Sequence, residues 1–291
     1  NGIASIDGVA LANSLGMKVI VTDHHLPGSS LPAAAAIVNP NQPGCEFSSK
    51  NLAGVGVAFY LLSAVRAELR NRNWFKSRAE PNLADWLDLV ALGTIADVVQ
   101  LDQNNRRLVH EGLRRIRDGR ARPGVNALIE AAGLDRTALQ TRDLAFAVAP
   151  RLNAAGRLQD MAVGIECLLA TGDRATELAN HLDGLNQERR EIENEMRDQA
   201  LQYIEELSLD GQKKAGLCVY GDNWHEGLIG IIAARARERA FRPVIAFAPV
   251  SDTELKGSGR SVEGFHMRDA LAAIATRHPG LLLRFGGHAM A

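Results

Sequence analysis

Three consecutive residues with metal-binding side chains follow a predicted strand near the start of the chain. The β-branched run Lys18–Thr22 predicts a buried strand, and Asp23, His24 and His25 come directly after it. In open α/β sheets, ligands bind outside the carboxyl ends of the strands. A carboxylate with neutral imidazoles suits a transition metal such as Mn²⁺, and adjacent histidines can divide metal binding from phosphate contact or proton donation. A capping aspartate followed by two surface imidazoles is the alternative interpretation.

Asp97 is a single carboxylate inside the otherwise apolar run Ala91–Leu101. A buried carboxylate without a partner is costly, so this position predicts either a metal ion or a polar partner for Asp97. The N-cap of a helix or a carboxylate in a turn is the alternative interpretation.

The segment Pro150–Arg157, with the sequence PRLNAAGR, combines charged and small residues. Arg151 and Arg157 could hold a phosphate between their guanidinium groups, with Asn153 beside them, and the small residues would let a ligand approach the backbone. The alternative is a structural loop held by hydrogen bonds from arginine to backbone carbonyl groups.

Two glycine-rich segments, Lys256–Ser261 and Phe285–Ala289, are predicted to form turns near the end of the sequence. Turns of this kind expose backbone N–H groups that can bind a phosphate, and Arg260 and His288 would add side-chain donors. Neither segment has the spacing of a Walker loop. Ordinary tight turns remain the alternative for both.

A basic segment and an aromatic pair also allow two interpretations each. Seven arginines lie between Arg106 and Arg122, which fits either a track for a nucleic-acid backbone or a solvated helix face. Trp224 and His225 could stack on a base or sugar, or both could close the hydrophobic core.

The elements that must position these residues predict an α/β fold. A helix over Val9–Leu15 and strands at Lys18–Thr22 and Ala36–Val38 form the first α/β unit. From about Ala53 to about Ile165, apolar residues recur at three- and four-residue spacing, which predicts a large helical portion.

The segment Arg174–Leu207 predicts one long helix with a narrow apolar stripe. Such a helix often connects two domains, and the seam of a coiled-coil dimer is the alternative. After it, strands at Ala215–Tyr220 and Pro243–Phe247 alternate with helices at Gly227–Ala240 and Met267–Ile274, which indicates a second, smaller α/β domain.

Composition limits the classes of function. The formal net charge is −1, so a surface that binds nucleic acid must come from local clusters. No uninterrupted apolar stretch is long enough to cross a bilayer, which predicts no membrane partner. The three cysteines are scattered, with no CxxC pair, which argues against a zinc ribbon or a disulfide framework and favours a reducing cytoplasm.

Taken together, these motifs resemble one family, the RecJ-type exonucleases within the DHH phosphoesterases. The resemblance covers essentially the whole chain, and seven motifs occur in the family's order: VIVTDHH at 19–25, LAGVGVAF at 52–59, DLVALGTIADVVQL at 88–101, PRLNAAGR at 150–157, GSGRS at 257–261, HMRDAL at 266–271 and FGGHAMA at 285–291.

The resemblance implies three regions and a function. Residues 1–173 would be the DHH catalytic domain, residues 174–207 the connecting helix, and residues 208–291 the DHH-associated substrate-binding domain. The family hydrolyses single-stranded DNA from a 5′ end, in DNA repair and recombination, with two Mn²⁺ or Mg²⁺ ions. A helicase and a single-strand-binding protein are expected partners of the family.

The resemblance also implies roles for particular residues. His24 and Asp97 would be metal ligands, Asp23 would orient an imidazole, and His25 would contact the scissile phosphate or act as an acid. In the second domain, the residues that would bind nucleic-acid phosphates are Ser258, Arg260, Ser261, Gly286, Gly287 and His288. Arg157 would line the cleft between the domains.

The sequence departs from the family pattern at both ends. The family's upstream motif with two metal-binding aspartates has no match, and Asn1-Gly2 resembles the end of a second motif without its aspartate. The OB-fold that follows the GGHAMA motif in RecJ proteins is also absent. We therefore interpret the chain as a fragment, and we expect weak metal binding and no useful catalysis from these residues alone.

Two other functions fit parts of the pattern. A shorter DHH phosphoesterase would act on oligoribonucleotides, cyclic dinucleotides or phosphorylated nucleotides, but the long middle section and PRLNAAGR favour the RecJ type. A non-catalytic DHH scaffold would have lost its metal ligands, and the presence of His24, His25 and Asp97 speaks against it.

Overall fold

The computed structural model describes residues 2–209, 215–286 and 290–291, without the side chains of residue 203 and residues 206–209. The chain divides into two compact units. Unit 1 comprises residues 1–155 and 161–183, and unit 2 comprises residues 156–160 and 184–291. The α/β class predicted from the sequence is confirmed.

Unit 1 begins with a small parallel sheet. After a 3-10 turn at Gly2–Ala4 and helix α1 (Ile6–Ser14), strand β1 (Ile20–Thr22) pairs with β2 (Ala36–Val38). Val21 is buried and lies opposite Ile37. Because the strands are parallel, both carboxyl ends lie at one edge, and Asp23 follows β1 at that edge.

The rest of unit 1 is helical, as the apolar spacing predicts. Its helices are α2 (Gly54–Asn71), α3 (Leu87–Ala96), α4 (Gln103–Arg117), α5 (Pro123–Ala131), α6 (Thr141–Asp143), α7 (Ala149–Leu158) and α8 (Ala162–Leu169). A π-helical segment, Leu144–Val148, joins α6 to α7, and 3-10 turns lie at Trp74–Lys76, Leu83–Trp86 and Arg136–Ala138.

Helices α3 and α4 pack closely because one residue between them has no side chain. A Cβ atom at Gly112 of α4 would overlap the Leu87 carbonyl oxygen and the Cβ atom of Ala91 on α3. Helix α4 begins at a capped end, where the Asp102 carboxylate accepts a hydrogen bond from the Asn105 N–H at 2.9 Å. The core beside them contains Leu52, Val57, Val90 and Leu108.

Helix α9 (Asp173–Leu209) is the predicted long helix, and the division between the two units falls within it, after Asp183. Its stripe is buried: Leu178 and Leu182 lie in the part that belongs to unit 1, whereas Met196 and Ile204 join the hydrophobic core of unit 2. Because the chain itself covers the stripe, the coiled-coil alternative is not supported.

Unit 2 contains a three-stranded sheet with the order β3–β4–β5. Strand β3 (Leu217–Tyr220) runs parallel to β4 (Val244–Pro249), and β4 pairs antiparallel with β5 (Leu255–Arg260). Helix α10 (Ile229–Ala240) packs against β4 and β5, and Met267, the first residue of helix α11 (Met267–Arg277), lies against β5.

The prediction that Lys256–Ser261 forms a glycine-rich turn is wrong, because most of this segment is strand β5. Its glycines are needed for packing: a Cβ atom at Gly257 would lie 2.7 Å from the Phe247 ring, and one at Gly259 would lie 3.1 Å from the Met267 sulfur. In the part of the chain that the model describes, no helix combines the length and the apolar character that a membrane span requires.

Candidate metal centre and arginine surface

The backbone at the end of β1 places Asp23, His24 and His25 together. The Asp23 N–H donates to the Val38 carbonyl oxygen at 3.1 Å, so the ladder between β1 and β2 continues up to this residue. One potential ligand atom from each of the three side chains lies within 4.8 Å of the others. These are the residues that the sequence singled out, and their proximity follows from the strand that precedes them.

Asp23 is the centre of this cluster, and its side chain is buried. One carboxylate oxygen accepts the Ile3 N–H at 2.7 Å, and the other accepts the N–H groups of His24 at 2.7 Å and His25 at 3.1 Å. The His25 Nδ1 atom lies 2.6 Å from the second oxygen. Burial alone would raise the pKa of Asp23, but these hydrogen bonds outweigh it and hold the pKa far below its ordinary value.

An ionised Asp23 determines how His25 can act. The carboxylate has no proton to donate, so the His25 Nδ1 atom must carry the hydrogen of their shared hydrogen bond. The Nε2 atom of the ring is then the one that remains for a ligand. The His25 side chain is 44% exposed, which leaves it accessible from solvent.

His24 faces the end of helix α3. Its Nε2 atom lies 3.4 Å from the Asp97 Oδ2 atom, and Asp97 is the residue at which α3 ends. Val98, the next residue, has a φ of 58°, a left-handed conformation that is rare for a β-branched residue. Asp97 is therefore a C-terminal residue of a helix that faces an imidazole, and not the cap of a following helix.

The two facing side chains fit a shared metal ion. Two ligand atoms that each lie about 2.1 Å from one ion, at a right angle, are about 3 Å apart. The Nε2–Oδ2 distance of 3.4 Å between His24 and Asp97 is close to this value. Imidazole with carboxylate suits Mn²⁺ and related ions, so the donor set agrees with the predicted metal.

Two asparagines that the sequence analysis did not select complete this edge of the sheet. Asn39 and Asn41 follow β2, and their side-chain amides donate to the carbonyl oxygens of His25 at 2.9 Å and His24 at 2.7 Å. Their position could have been found from the sequence, because the end of a second parallel strand must lie beside the end of the first.

A second polar region, in unit 2, contains three arginines, Arg157, Arg237 and Arg260, and we call it the arginine surface. Burial lowers the pKa of the Arg260 guanidinium, and the charges of Arg157 and Arg237 lower it further. Arg260 donates to Ser258 Oγ at 3.2 Å and to the Gly259 carbonyl at 2.7 Å, and Arg157 donates to the Gly227 carbonyl at 3.0 Å. Arg237 was missed because it lies on a helix, outside any motif.

A glycine of α10 leaves space for two side chains of the arginine surface region. A Cβ atom at Gly230 would lie 3.2 Å from both the Ser258 hydroxyl oxygen and an Arg260 guanidinium nitrogen. The small residue therefore lets both side chains approach the helix. Sequence inspection gives no signal for Gly230, since its contacts are with a strand about thirty residues away.

Other predicted ligand-binding residues lie in different surroundings. The Arg151 guanidinium bonds the Asp183 carboxylate and the Ala147 carbonyl, both at 2.7 Å, and Asn153 is exposed on α7. The buried Ser261 hydroxyl donates to the Phe265 carbonyl at 2.6 Å. A Cβ atom at Gly286 would meet open space. Gly287 and His288 lie outside the described residues.

The basic segment between Arg106 and Arg122 is largely bonded within unit 1. Arg115 pairs with Asp85 at 2.7 Å, and the Arg117 guanidinium donates to the Leu139 carbonyl. Arg122 lies over the Trp86 ring. These contacts favour the structural interpretation of the segment over a nucleic-acid track.

Trp224 is a core residue, as one of its two interpretations predicts. It is 5% exposed within the hydrophobic core of unit 2, and its ring N–H donates to the Gln199 side chain at 2.7 Å. It is therefore not available to stack on a base in this arrangement.

Comparison with known proteins gives consistent matches along the whole chain. Residues 1–94 match the model of the DHH family, N-terminal domain, and residues 212–291 match that of the DHHA1 domain. The single-stranded-DNA-specific exonuclease RecJ of Escherichia coli (strain K12) is 58% identical over 100% of this chain and 51% of its own length. The protein of the same name from Bacillus subtilis (strain 168) is 38% identical, over 100% of this chain and 34% of its own length.

Solved structures show the same similarity. The crystal structure of exonuclease RecJ bound to manganese has a TM-score of 0.80 and 33% identity, covering 99% of this chain and 67% of its own. That of RecJ in complex with Mg²⁺ from Thermus thermophilus has a TM-score of 0.72 and 32% identity, covering 94% of this chain and 38% of its own. The chain spans about half the length of the enterobacterial relatives that it matches.

Proposed function

We propose, since the chain belongs to the RecJ group of the DHH family, that it is part of a metal-dependent exonuclease specific for single-stranded DNA. The observation that carries the proposal is the 3.4 Å approach of His24 to Asp97, beside the Asp23–His25 pair. Digestion from the 5′ end and a role in DNA repair and recombination belong to the same proposal, and the relatives' names support single-stranded DNA as the substrate.

His24 and Asp97 would hold the metal ion. When bound, a Mn²⁺ or Mg²⁺ ion supplies an activated water molecule and stabilises charge on the phosphate oxygens. Both ions occur in solved RecJ structures to which this chain is similar. The protein contributes the separation of the two donor atoms, which is fixed by the end of α3 on one side and the end of β1 on the other.

His25 would act on the scissile phosphate or on the leaving oxygen. Its Nδ1–H is held by the ionised Asp23, which orients the ring. The Nε2 atom is then the one that can donate a hydrogen bond or a proton to a phosphate oxygen. Asp23 acts only through this ring and through the backbone, because its buried oxygens are already bonded.

The arginine surface would bind the DNA backbone. Arg157, Arg237 and Arg260 place three positive charges near one another, and a phosphate would relieve their repulsion. Ser258 adds a hydroxyl that already approaches Arg260. We propose the same function for Arg151, Asn153, Ser261, Gly286, Gly287 and His288, because they lie in motifs that resemble those of the family.

Further parts of the proposal concern organisation and surroundings. Residues 1–173 would form the catalytic domain, 174–207 the connecting helix and 208–291 the substrate-binding domain, supported by the family matches at 1–94 and 212–291. A helicase and a single-strand-binding protein are proposed partners. A cytoplasmic location is proposed from the three free cysteines.

The test is a nuclease assay on the complete gene product that contains this sequence. The substrates are a long 5′-phosphorylated single strand, the same strand in a blunt duplex, and a dinucleotide, each with Mn²⁺, with Mg²⁺ or with a chelator. Strands labelled at either end report the direction of digestion. We expect metal-dependent release of nucleotides from the 5′ end of the single strand and little cleavage of the duplex.

Other outcomes would redirect the proposal. Preference for the dinucleotide would indicate a small-nucleotide phosphodiesterase of the same family. Cleavage that persists in the chelator would remove the metal centre from the mechanism, and DNA binding without cleavage would indicate a scaffold.

A further inference from the structure

The loop after β2 is bonded directly to the histidine pair. The Asn39 amide donates to the His25 carbonyl oxygen at 2.9 Å, and the Asn41 amide donates to the His24 carbonyl oxygen at 2.7 Å. We call these two residues the asparagine pair. Both bonds join side chains of one strand end to the backbone of the other, so they connect the ends of β1 and β2 beyond the last ladder pair.

The asparagine pair is itself braced. The Asn41 N–H donates to the Asn39 side-chain oxygen at 2.8 Å, and the Asn41 amide also donates to the Lys50 carbonyl at 3.1 Å. The Lys50 ammonium donates in turn to the Pro40 carbonyl at 2.7 Å, between the two asparagines. Asn39 is 2% exposed, so water does not compete for its hydrogen bonds.

Asp23 and the asparagine pair bind the backbone of the same two residues, His24 and His25. Asp23 accepts the N–H groups of His24 and His25, whereas the asparagine pair donates to their carbonyl oxygens. With both the donor and the acceptor of each histidine bound by side chains, the backbone cannot rotate without breaking a hydrogen bond. The imidazoles are thereby held relative to Asp97, which belongs to a different element.

We propose that Asn39 and Asn41 are positioning residues, which hold the backbone of His24 and His25 so that the His24 ring keeps its separation from Asp97. This inference rests on the proposed function of His24 and Asp97 as metal ligands. Partners that orient metal ligands from outside typically change metal affinity or activity about 10- to 100-fold when they are removed.

The test compares three substitutions in the complete gene product. Asn39→Leu and Asn41→Leu keep the side-chain shape and charge but remove the amide. Gln42→Met is the matched control, because the Gln42 amide donates to a backbone carbonyl of the same loop, that of Ile37 at 2.9 Å, and contacts neither histidine in the hydrogen bonds described. Asn41 is partly exposed, so its substitution keeps the test valid if Asn39→Leu does not fold.

The measurements are Mn²⁺ affinity by electron paramagnetic resonance, kcat and KM on single-stranded DNA, and thermal unfolding. We expect Asn41→Leu and Asn39→Leu to weaken Mn²⁺ binding and lower kcat about tenfold, with KM for DNA unchanged, and Gln42→Met to do neither. Mn²⁺ affinity and kcat equal to those of the wild type in all three folded variants would overturn the inference. Losses of Mn²⁺ affinity and kcat in Gln42→Met as large as those in the asparagine variants would also overturn it.

Failure of the proposed function is separable from failure of this inference. If the wild-type protein neither binds Mn²⁺ nor cleaves DNA, the ¹⁵N shifts of the His24 and His25 rings still report the hydrogen bonds that the ring nitrogens make with Asp23 and Asp97. Shifts that change in the asparagine variants but not in Gln42→Met would support the positioning role. Unchanged shifts in all variants would reject it.

Discussion

The candidate metal centre, formed by Asp23, His24, His25 and Asp97, and the arginine surface are built in opposite ways. At the metal centre, the carboxylates of Asp23 and Asp97 each face an imidazole, and hydrogen bonds from the backbone surround Asp23. At the arginine surface, the charges of Arg157 and Arg237 lower the pKa of Arg260, because like charges lie near one another. One region brings carboxylates beside imidazoles, and the other brings guanidinium groups together.

This difference indicates what each region can bind. With neutral imidazoles, two carboxylates favour a cation, and a cluster of guanidinium groups favours an anion such as phosphate. The metal centre is also fixed from several elements, whereas the arginine surface depends on small residues that leave room for long side chains. We therefore expect substitutions to separate catalysis from affinity.

The largest expected effect comes from His24→Ala, which removes one side of the His24–Asp97 pair. We expect kcat for Mn²⁺-dependent cleavage to fall about 10³-fold, equivalent to about 4 kcal/mol of transition-state stabilisation. DNA affinity, measured by fluorescence anisotropy, should change less than threefold. A His24→Ala variant that cleaved at the normal rate would contradict the assignment of catalysis to this region and of DNA binding to the arginine surface.

Carboxylates of unit 1 should also make its stability sensitive to acid. Asp102 is partly buried, which raises its pKa, but bonds from the Asn105 N–H at 2.9 Å and the Ser49 hydroxyl at 2.7 Å lower the pKa below 3.8. A carboxyl whose pKa is lowered by folding stabilises the fold at pH values above its pKa in the unfolded chain. This stabilisation is lost as pH falls through the pKa of the folded state. Asp102→Ala should cost about 2 kcal/mol at pH 7.

The difference in stability between Asp102→Ala and wild type should narrow as pH falls below about 4, where the unfolded carboxyl gains its proton. It should vanish once pH passes below the lowered pKa of the folded carboxyl. Denaturant unfolding at several pH values measures it. Asp135→Ala is the control, because Asp135 is exposed and its described hydrogen bonds are to Thr137. Its substitution should lower the free energy of unfolding by less than Asp102→Ala does. A difference that stayed constant with pH would contradict the role of the ionised carboxylate.

At the arginine surface, Arg260→Ala should weaken single-stranded DNA binding about tenfold and reduce the slope of log affinity against log salt by roughly one. The reason is the loss of a guanidinium group that can bind phosphate beside Ser258. The value of kcat at saturating DNA should stay within twofold. Arg277→Ala, at an exposed arginine of α11, is the control, and an equal loss there would show that only net charge matters.

Much of the fold could be predicted because periodic apolar patterns record burial. The helices at Ile229–Ala240 and Asp173–Leu209 and the strand at Ala36–Val38 match their predicted positions within a few residues. Strand β5 was missed because Gly257 and Gly259 lack side chains, so their alternation is invisible without Phe247 and Met267. The π-helical segment Leu144–Val148 likewise gives no distinct pattern.

The candidate site could be predicted in part for a similar reason. Asp23, His24 and His25 adjoin one another in sequence, so a local motif identifies them. Asn39 and Arg237 are brought to their regions only by tertiary structure, through the parallel pairing of β1 with β2 and the packing of α10 near β5. Asp97 is also distant in sequence, but it was found because a single carboxylate interrupts an apolar run. The residues that were missed had neither a local motif nor an unusual residue type for their surroundings.

The smallest expected effect concerns Val98, beside Asp97 at the metal centre. Its φ of 58° is unfavourable for a β-branched residue, and its side chain is 87% exposed, so little packing offsets the strain. Val98→Gly should therefore stabilise the fold by about 1 kcal/mol in denaturant unfolding. Phe241→Gly, at a second exposed left-handed position, with φ 52° in unit 2, provides the comparison. If the strain at Val98 affects the position of Asp97, Val98→Gly should change Mn²⁺ affinity and Phe241→Gly should not. A loss of stability in Val98→Gly would contradict the strained backbone.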